Sequence, residues 1–544
     1  MSGDLHYATV WETVADTVPE ELAAIHGTTR LTWAQLDDQA SRLARALGDR
    51  GVGPGTKVGL LLYNCVEFLV AQYAVFKLRG VAVNVNYRYL GSELAYVLDN
   101  SDSEVVVYHT SLGPQLESAL GLGVAADVRT LIAVDDGGPT LEGSETMADL
   151  IASTDPAPRI DRPGDDVYML YTGGTTGYPK GVMYRHADHS RYIQGLGYQW
   201  IGLEGPSTVV EVPAAVRRAH AHERGVLRSV VPPPFIHGTG TWLGIFAAWG
   251  MGGTVITLTP RSLDAHELWR TVERERASTV IIVGDAFARP MLIALDEARG
   301  QGRPYDLASL HTIVSSGALW TPDVMRGLLA HADLQLIDSM GSTEGGMGSR
   351  RVTRATVIQP ARFQPRPGIK VLDEDGAEVE PGSGRPGLIA SPARAFGYYK
   401  DPDKTGATFR TIGDRLYVVP GDWAIVEPDG RLRVLGRGSQ CINTSGEKVF
   451  PEEVETELAA HPGIDDCTVI GMPHARLGQE VVAVVAPVDG VRPTDGAVRD
   501  WVRGRLAGYK APRRVVFVDR VERLPNGKAD YPWAREVAAV QAPD

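Results

Sequence analysis

Short apolar runs recur along the chain: Val58–Leu62, Val81–Val85, Val105–Tyr108, Leu131–Val134, Thr279–Val283, Thr312–Ser315 and Leu334–Ile337. Each has the length of a buried strand. Amphipathic stretches such as Glu67–Lys77 and Ser92–Leu98 lie between several of them. Thr32 with Gln35 spells a capping box, and Leu36, Ala40, Leu43, Ala44 and Leu47 follow at helical spacing. This rhythm predicts βαβ units, with helices on the faces of a parallel or mixed sheet.

After about residue 360 the texture turns to Gly, Pro and short strands, as in PGIKVLDEDGAEVEPGSGRPG (Pro367–Gly387). A second break follows Gly436-Arg437-Gly438-Ser439. Beyond it Pro451-Glu452-Glu453 is a helix start, with proline at N1 and acids in the first turn. The expected fold is α/β: a large N-terminal body (1–436) of mixed or parallel sheets flanked by helices, and a small mobile α+β lid domain (437–544). One apolar stretch, Thr241–Pro260, has no charge over a membrane-like length. Its four glycines and the β-branched run at its end predict a buried helix–turn–strand.

At 544 residues the chain exceeds one ordinary domain. Its 43% hydrophobic and 22% charged residues are those of a globular protein. A net charge of −13 argues against a nucleic-acid partner. Cys65, Cys441 and Cys467 stand far apart, with no CxxC pair or disulfide framework, which fits a reducing cytoplasm. The N-terminus has acidic residues and no long apolar run, so no signal peptide is expected.

The chemistry begins at YTGGTTGYPKG, Tyr171–Gly181, which follows the apolar Val167–Leu170 and reads as a loop on the end of a strand. Gly173, Gly174, Gly177 and Gly181 let backbone N–H groups approach phosphate oxygens. Thr172, Thr175 and Thr176 add hydroxyl donors, and Lys180 adds a positive charge. The stretch is not a Walker A loop, because Pro179 stands where that motif needs glycine. Two decoys are set aside. Gly382–Gly387 spells GxGxxG but follows Pro381 and precedes a strand-like Leu388-Ile389. His220, His222 and Glu223 mimic metal spacing without a completing ligand, and read as a solvated insertion.

Five more motifs follow in order: Ser315-Ser316-Gly317-Ala318-Leu319, Ser339-Met340-Gly341-Ser342-Thr343-Glu344, Pro420-Gly421-Asp422-Trp423, Gly436-Arg437, and Pro525-Asn526-Gly527-Lys528. With Tyr171–Gly181 they resemble the adenylate-forming superfamily of acyl-CoA synthetases, peptide-synthetase adenylation domains and luciferases. The likeness runs through most of the chain. It is greatest to the long-chain and steroid side-chain acyl-CoA ligases, through RGSQCINTSGEKVFPEEVE (Arg437–Glu455), GKADYPW and the Pro-Gly-Asp-Trp form.

The resemblance implies ATP, Mg²⁺ and coenzyme A as cofactors or substrates. It implies that Thr172, Gly173, Gly174, Thr175, Thr176, Gly177 and Lys180 hold phosphates, and that Ser316, Gly317 and Ala318 line the adenine and acyl pockets with Met340 and Gly341. Thr343 would meet the α-phosphate and Glu344 would hold Mg²⁺. Asp422 and Arg437 would bind the ribose, and Lys528 would stand between carboxylate and α-phosphate. Such a lysine and metal offset the repulsion between two anions.

Three departures stand out: Met340 where an aromatic is common, Pro420 where threonine is common, and Ser439 at the hinge pivot. Phe235–Trp242 resembles the acyl-pocket wall, with His237 as a gate or catalytic group. Glycines 238 and 240 would widen the pocket for a polycyclic acid. The expected partners are a hydrophobic carboxylic acid and CoA, with no nucleic acid and no integral membrane; a homodimer is left open. The expected activity is an AMP-forming acid–thiol ligase. The alternatives are transfer of the adenylate to a carrier protein, a nitrogen nucleophile or a partner enzyme, and a nucleotide binder that has lost catalysis.

Overall fold

The computed structural model describes residues 4–541, apart from 175–176, 357, 359–361, 445–446, 475–476, 507 and 525–526. The chain forms two compact units. One comprises Met1–Ile282, Ala294–Val314 and Arg394–Phe409; the other comprises Val283–Ile293, Ser315–Ala393 and Arg410–Asp544.

In the first unit the apolar runs are strands, as the pattern predicts. Val81–Asn84, Lys57–Leu61, Ser103–His109, Thr130–Val134 and Glu145–Thr146 lie side by side in a parallel sheet. A second parallel set runs Leu22–His26, Thr254–Thr257, Arg228–Val230, Thr279–Ile282. The capping box at Thr32–Gln35 forms and opens the helix Trp33–Asp49.

One expectation needs correction and two gain detail. Glu67–Lys77 forms the helix Val66–Lys77, but every residue of it except Glu67 is buried, so it is enclosed and not amphipathic. Its buried Lys77 is balanced by Glu12 Oε1 at 2.8 Å and Asp37 Oδ1 at 2.6 Å, and Glu12 also accepts from Arg162 at 2.8 Å. Buried charge survives only with such partners. The region around His220 is solvated as expected, with Arg217, Arg218, Glu223 and Arg224 exposed, but it begins within a helix, Val212–His220, that buries Val212, Ala215, Val216 and Ala219. The charge-free Thr241–Pro260 is a helix–turn–strand as expected, but its first part belongs to a π-helix, Thr239–Phe246, before Ala247–Trp249 and the strand Thr254–Thr257. Among the described residues no helix is long and apolar enough to cross a membrane.

The second unit is largely antiparallel, with neighbours Gln335–Gly341, Gly346–Val352, Arg362–Pro365, Leu432–Arg437, Asp422–Val426 and Pro386–Pro392. Its C-terminal part is a small α+β structure. The long hairpin Ile464–His474/Gly478–Pro487 carries Arg514–Phe517 in parallel. The helices Pro451–Ala459 and Asp495–Arg503 close over it through Val454, Leu458, Val498 and Val502. Pro451 and Glu452–Glu453 open their helix as expected. The fold is therefore α/β with mixed sheets and a small α+β C-terminal domain. The GxGxxG of Gly382–Gly387 leads into the strand Pro386–Pro392, as anticipated, and no helix follows it.

Candidate active site

The glycine-rich stretch corrects one expectation: it is a β-hairpin and not a loop hung on a strand end. Val167–Gly174 pairs with Gly177–Arg185, with Thr172 opposite Lys180 and Gly174 opposite Gly177. Gly173 therefore lies within a strand. It falls where the register shifts between Thr172 and Gly174, so it has no rung of its own in the ladder. A bulge of this kind leaves backbone groups out of the regular pairing, and a residue without Cβ fits there readily. The expected phosphate contact of Gly173 thus rests on its backbone at that irregularity. Thr175 and Thr176 lie outside the described residues. Gly181 is required by packing: a Cβ there would sit 2.7 Å from Met169 Sδ and 2.8 Å from the Tyr171 ring.

The Lys180 ammonium meets Asp401 Oδ2 at 3.0 Å and faces the Tyr398 ring. Asp401 also caps the helix Pro402–Thr408 by accepting the Lys404 N–H at 3.0 Å. Burial pushes the Asp401 carboxyl up, but Lys180 and the Lys404 N–H outweigh it and hold it below the usual carboxylate range. The segment around Asp401 is itself anchored. Tyr399 N–H donates to Gly181 O at 2.8 Å, Tyr399 OH donates to Asp102 at 2.6 Å, and Lys400 binds the same carboxylate.

Two asparagines absent from the sequence-based expectations hold the neighbouring wall segment. Asn64 accepts the Phe235 N–H at 2.8 Å and donates to Pro233 O at 2.9 Å. Asn84 accepts the Tyr171 N–H at 2.8 Å and donates to Tyr171 O at 3.0 Å and to Ile236 O. Their signal in the sequence is no more than an amide at or just after a strand end.

Half-buried His237 opens the π-helix region, with its carbonyl accepting from Thr241 N at 3.0 Å. π-turns of this kind are frequent at functional sites. The expectation that Gly238 and Gly240 widen a pocket is not met. A Cβ on Gly240 would lie 2.3 Å from Pro234 O, and one on Gly238 would lie 2.9 Å from the Trp242 ring, so both serve tight packing. Trp242 donates to Tyr168 OH at 2.9 Å and lies against His189. His186 and His189 are kept neutral by burial, His186 pushed down to about 3.

The second unit places Thr343 and Glu344 at the tip of another hairpin, between Gln335–Gly341 and Gly346–Val352. The turn closes by Ser342 N–H to Gly345 O at 3.0 Å, and Ser391 Oγ donates to Gly346 O at 2.9 Å. A Cβ on Gly345 would press on Ser391 and Val418 at 3.0 Å. Met340 packs against the apolar cluster of Met347, Val371 and Ile389.

Behind this tip Arg350 binds Asp338 at 2.8 Å and donates to Trp320 O at 2.8 Å. It thus ties the strand Gln335–Gly341 to the turn after Ser316-Gly317-Ala318. Burial dominates at Asp338 and pushes its carboxyl up to about 6 despite Arg350. The same turn is buttressed by Gly284 and Asp285. Gly284 N–H donates to Ser315 Oγ at 2.9 Å, and Asp285 accepts from Thr321 N–H and Oγ1 at 3.0 and 2.6 Å.

Asp422 and Arg437 are direct cross-strand partners, so the two expected ribose contacts share one rung of the ladder. The glycines flanking Arg437 are sealed: a Cβ on Gly436 would strike Glu452 Oε2 at 2.0 Å, and one on Gly438 would strike the Trp423 indole at 2.6 Å. Exposed Lys528 follows Gly527 in a turn closed by Leu524 N–H to Lys528 O at 2.8 Å.

Among the described residues no group of three His, Cys, Asp or Glu could hold a metal. Glu344 alone still suits Mg²⁺, which is commonly bound by one carboxylate together with phosphate oxygens and water. Thr172, Gly173, Gly174, Gly177, Lys180 and His237 belong to the first unit. Ser316, Gly317, Ala318, Met340, Gly341, Thr343, Glu344, Asp422, Arg437 and Lys528 belong to the second.

Comparison with known proteins follows the same outline. The chain is 39% identical to the 3-oxocholest-4-en-26-oate–CoA ligase of Rhodococcus rhodochrous, covering 99% of this chain and 97% of that one. It is 40% identical to a medium/long-chain-fatty-acid–CoA/3-oxocholest-4-en-26-oate–CoA ligase of Mycobacterium marinum, covering 100% and 98%. The anthranilate CoA ligase AuaEII, solved with anthranoyl-AMP, shares the fold at a TM-score of 0.82 and 22% identity, covering 99% of each chain. The family model for the AMP-binding enzyme matches residues 11–399, and that for the AMP-binding enzyme C-terminal domain matches 453–528. With both models matched in order and relatives of this identity over the full length, the chain belongs to the AMP-binding enzyme family.

Proposed function

We infer that this protein is an AMP-forming acid–CoA ligase whose acids are medium- to long-chain fatty acids or the side-chain carboxylates of steroids. The observation that carries this reading is identity of about 40% along the whole chain to ligases of such acids. Further support comes from the motif residues, which lie on hairpins and strand ends and not within helices.

In the first half-reaction an acid oxygen attacks the α-phosphorus of ATP. An O–P bond forms, the Pα–O–Pβ bond breaks, and pyrophosphate leaves. Thr172 and Lys180, with the backbone of Gly173 and its neighbours in the hairpin, hold the β- and γ-phosphates. Thr343 meets the α-phosphate, and Asp422 and Arg437 take the ribose. Lys528 places its charge between the two anions, as a point charge on a flexible stem can. Glu344 would hold Mg²⁺, which neutralises phosphate charge.

In the second half-reaction the CoA sulfur attacks the acyl carbon. A C–S bond forms, the acyl C–O bond breaks, and AMP departs. Gly436–Gln440 serves as the hinge by which the C-terminal domain exchanges Lys528 for the thiol entry, and one site thereby serves both steps. His237 sits at the gate of the acid. The enzyme works in the cytoplasm, where its three thiols stay reduced.

The test is acid-dependent ATP–pyrophosphate exchange over a panel of fatty, steroid, terpenoid and aryl acids. Exchange with fatty or steroid acids should fall about a thousandfold in Lys528→Ala. Exchange confined to aryl acids would overturn the acid class, and undiminished exchange in the variant would overturn the role of Lys528.

A further inference from the structure

Asn84 joins the hairpin expected to hold phosphate to the segment expected to wall the acid. It ends the strand Val81–Asn84, which pairs in parallel with Lys57–Leu61 so that Asn84 lies opposite Leu60. Asn64 follows that second strand. Both asparagines therefore stand at the C-terminal ends of adjacent parallel strands, where α/β folds place their ligands.

Val167–Gly174 is an edge strand of its three-stranded sheet. An edge strand leaves backbone N–H and C=O groups unpaired, and buried ones must find partners. At Tyr171 the Asn84 amide supplies both bonds that a further strand would have made, at 2.8 and 3.0 Å. It also donates to Ile236 O, one residue before His237. Asn84 is itself buried, at 7% exposure, so water cannot easily replace these bonds. Asn64, by contrast, bonds to the wall through Val231 O, Pro233 O and Phe235 N–H.

We propose that Asn84 is a positioning residue that makes the glycine-rich hairpin and the Val231–Ile236 segment move as one, so that the sites for ATP and for the acid depend on it together. The proposal rests on the reading of those two segments given above. Its chemistry is specific to an amide. A serine could keep one bond. A carboxylate at 84 could accept from Tyr171 N–H but would face two carbonyl oxygens.

The pair Asn84→Ser and Asn64→Ser tests this, because each removes amide bonds to the backbone, buried at Asn84 and part-buried at Asn64, but only the first reaches the hairpin. Asn84→Ser should raise KM for both ATP and acid, each about fivefold to tenfold. Asn64→Ser should raise KM for the acid by a similar factor and leave KM for ATP within about twofold. Thermal melts of both variants check that the loss of stability is alike.

An ATP KM unchanged in Asn84→Ser, or raised equally in both variants, overturns the proposal. Lys180→Ala runs alongside. An unchanged ATP KM there refutes the phosphate role of the hairpin itself; a raised one with no response in Asn84→Ser refutes only the coupling. Should the asparagine variants fail to fold, hydrogen exchange on the wild-type enzyme decides. An ATP analogue with a methylene between the α and β phosphorus should slow exchange in residues 231–237 as well as in 167–172 and 177–185. Slowing confined to the hairpin overturns the coupling.

Discussion

The hairpin carrying Thr172 and Lys180 and the hairpin carrying Thr343 and Glu344 share an outline: two antiparallel strands with the chemistry at or near the turn. They are braced by different means. The first leans on side chains from distant sequence, with Asn84 on the Tyr171 backbone and Asp401 on Lys180. The second combines a backbone-closed turn, Ser342–Gly345, and the missing Cβ of Gly345 with Ser391 Oγ on Gly346 O and with Arg350–Asp338 behind it. The two hairpins thus differ in what stands beside the candidate residues: a side-chain ion pair at Lys180, and a backbone-closed turn around Thr343 and Glu344.

The largest effect is expected at Glu344. Glu344→Gln keeps shape and removes charge, and should lower kcat for adenylation by about a hundredfold or more, with ATP KM changing far less. An effect confined to KM would mean that Glu344 acts in ground-state binding only.

Next comes the buried carboxyl behind that tip. Because the folded protein holds the Asp338 proton up to about pH 6, its contribution favours folding at low pH and is lost as pH rises from about 4 to 6. It is worth about 3 kcal/mol. Urea midpoints of wild type and Asp338→Asn, compared at both ends of that window, should diverge by this dependence; parallel curves would show Asp338 ionised throughout.

At Lys180 the effects are smaller. Lys180→Ala should raise ATP KM about tenfold. Asp401→Asn removes a pair whose members are 30% and 31% exposed, and should change stability by under about 1 kcal/mol and ATP KM by less than about threefold. A tenfold change in that variant would show that Lys180 depends on Asp401 for its position.

The same division decides what the sequence makes legible. Elements set by local pattern are readable: the strands at Val58, Val105 and Thr279, the capping box at Thr32, and the helix start at Pro451. Segments such as Thr343-Glu344 and Asp422 stand out by residue type, and the structure places them at a hairpin turn and on a strand.

What escapes depends on pairing and long-range contact. The four glycines after Tyr171 suggest a loop, yet cross-strand bonding carries Gly173 and Gly174 into a strand, with the irregularity confined to one register shift. The helix Val66–Lys77 looks amphipathic because Gln72 and Lys77 are polar, and only the fold reveals Glu12 and Asp37 waiting for Lys77. Gly238 and Gly240 suggest space for a substrate, but their neighbours are Trp242 and Pro234 O. Asn84 lies 87 residues from Tyr171 and 152 from Ile236, separations at which no spacing rule operates.

In this reading one enzyme both adenylates a hydrophobic acid and passes it to CoA. The most direct measurement is mass spectrometry of the products from ATP, Mg²⁺ and a fatty or steroid acid, with and without CoA. The account predicts acyl-AMP held on the enzyme without CoA, and acyl-CoA with AMP and pyrophosphate in equal amounts when CoA is present. Acyl-AMP that persists in the presence of CoA, or that yields only amides or carrier-bound acyl groups, would contradict it.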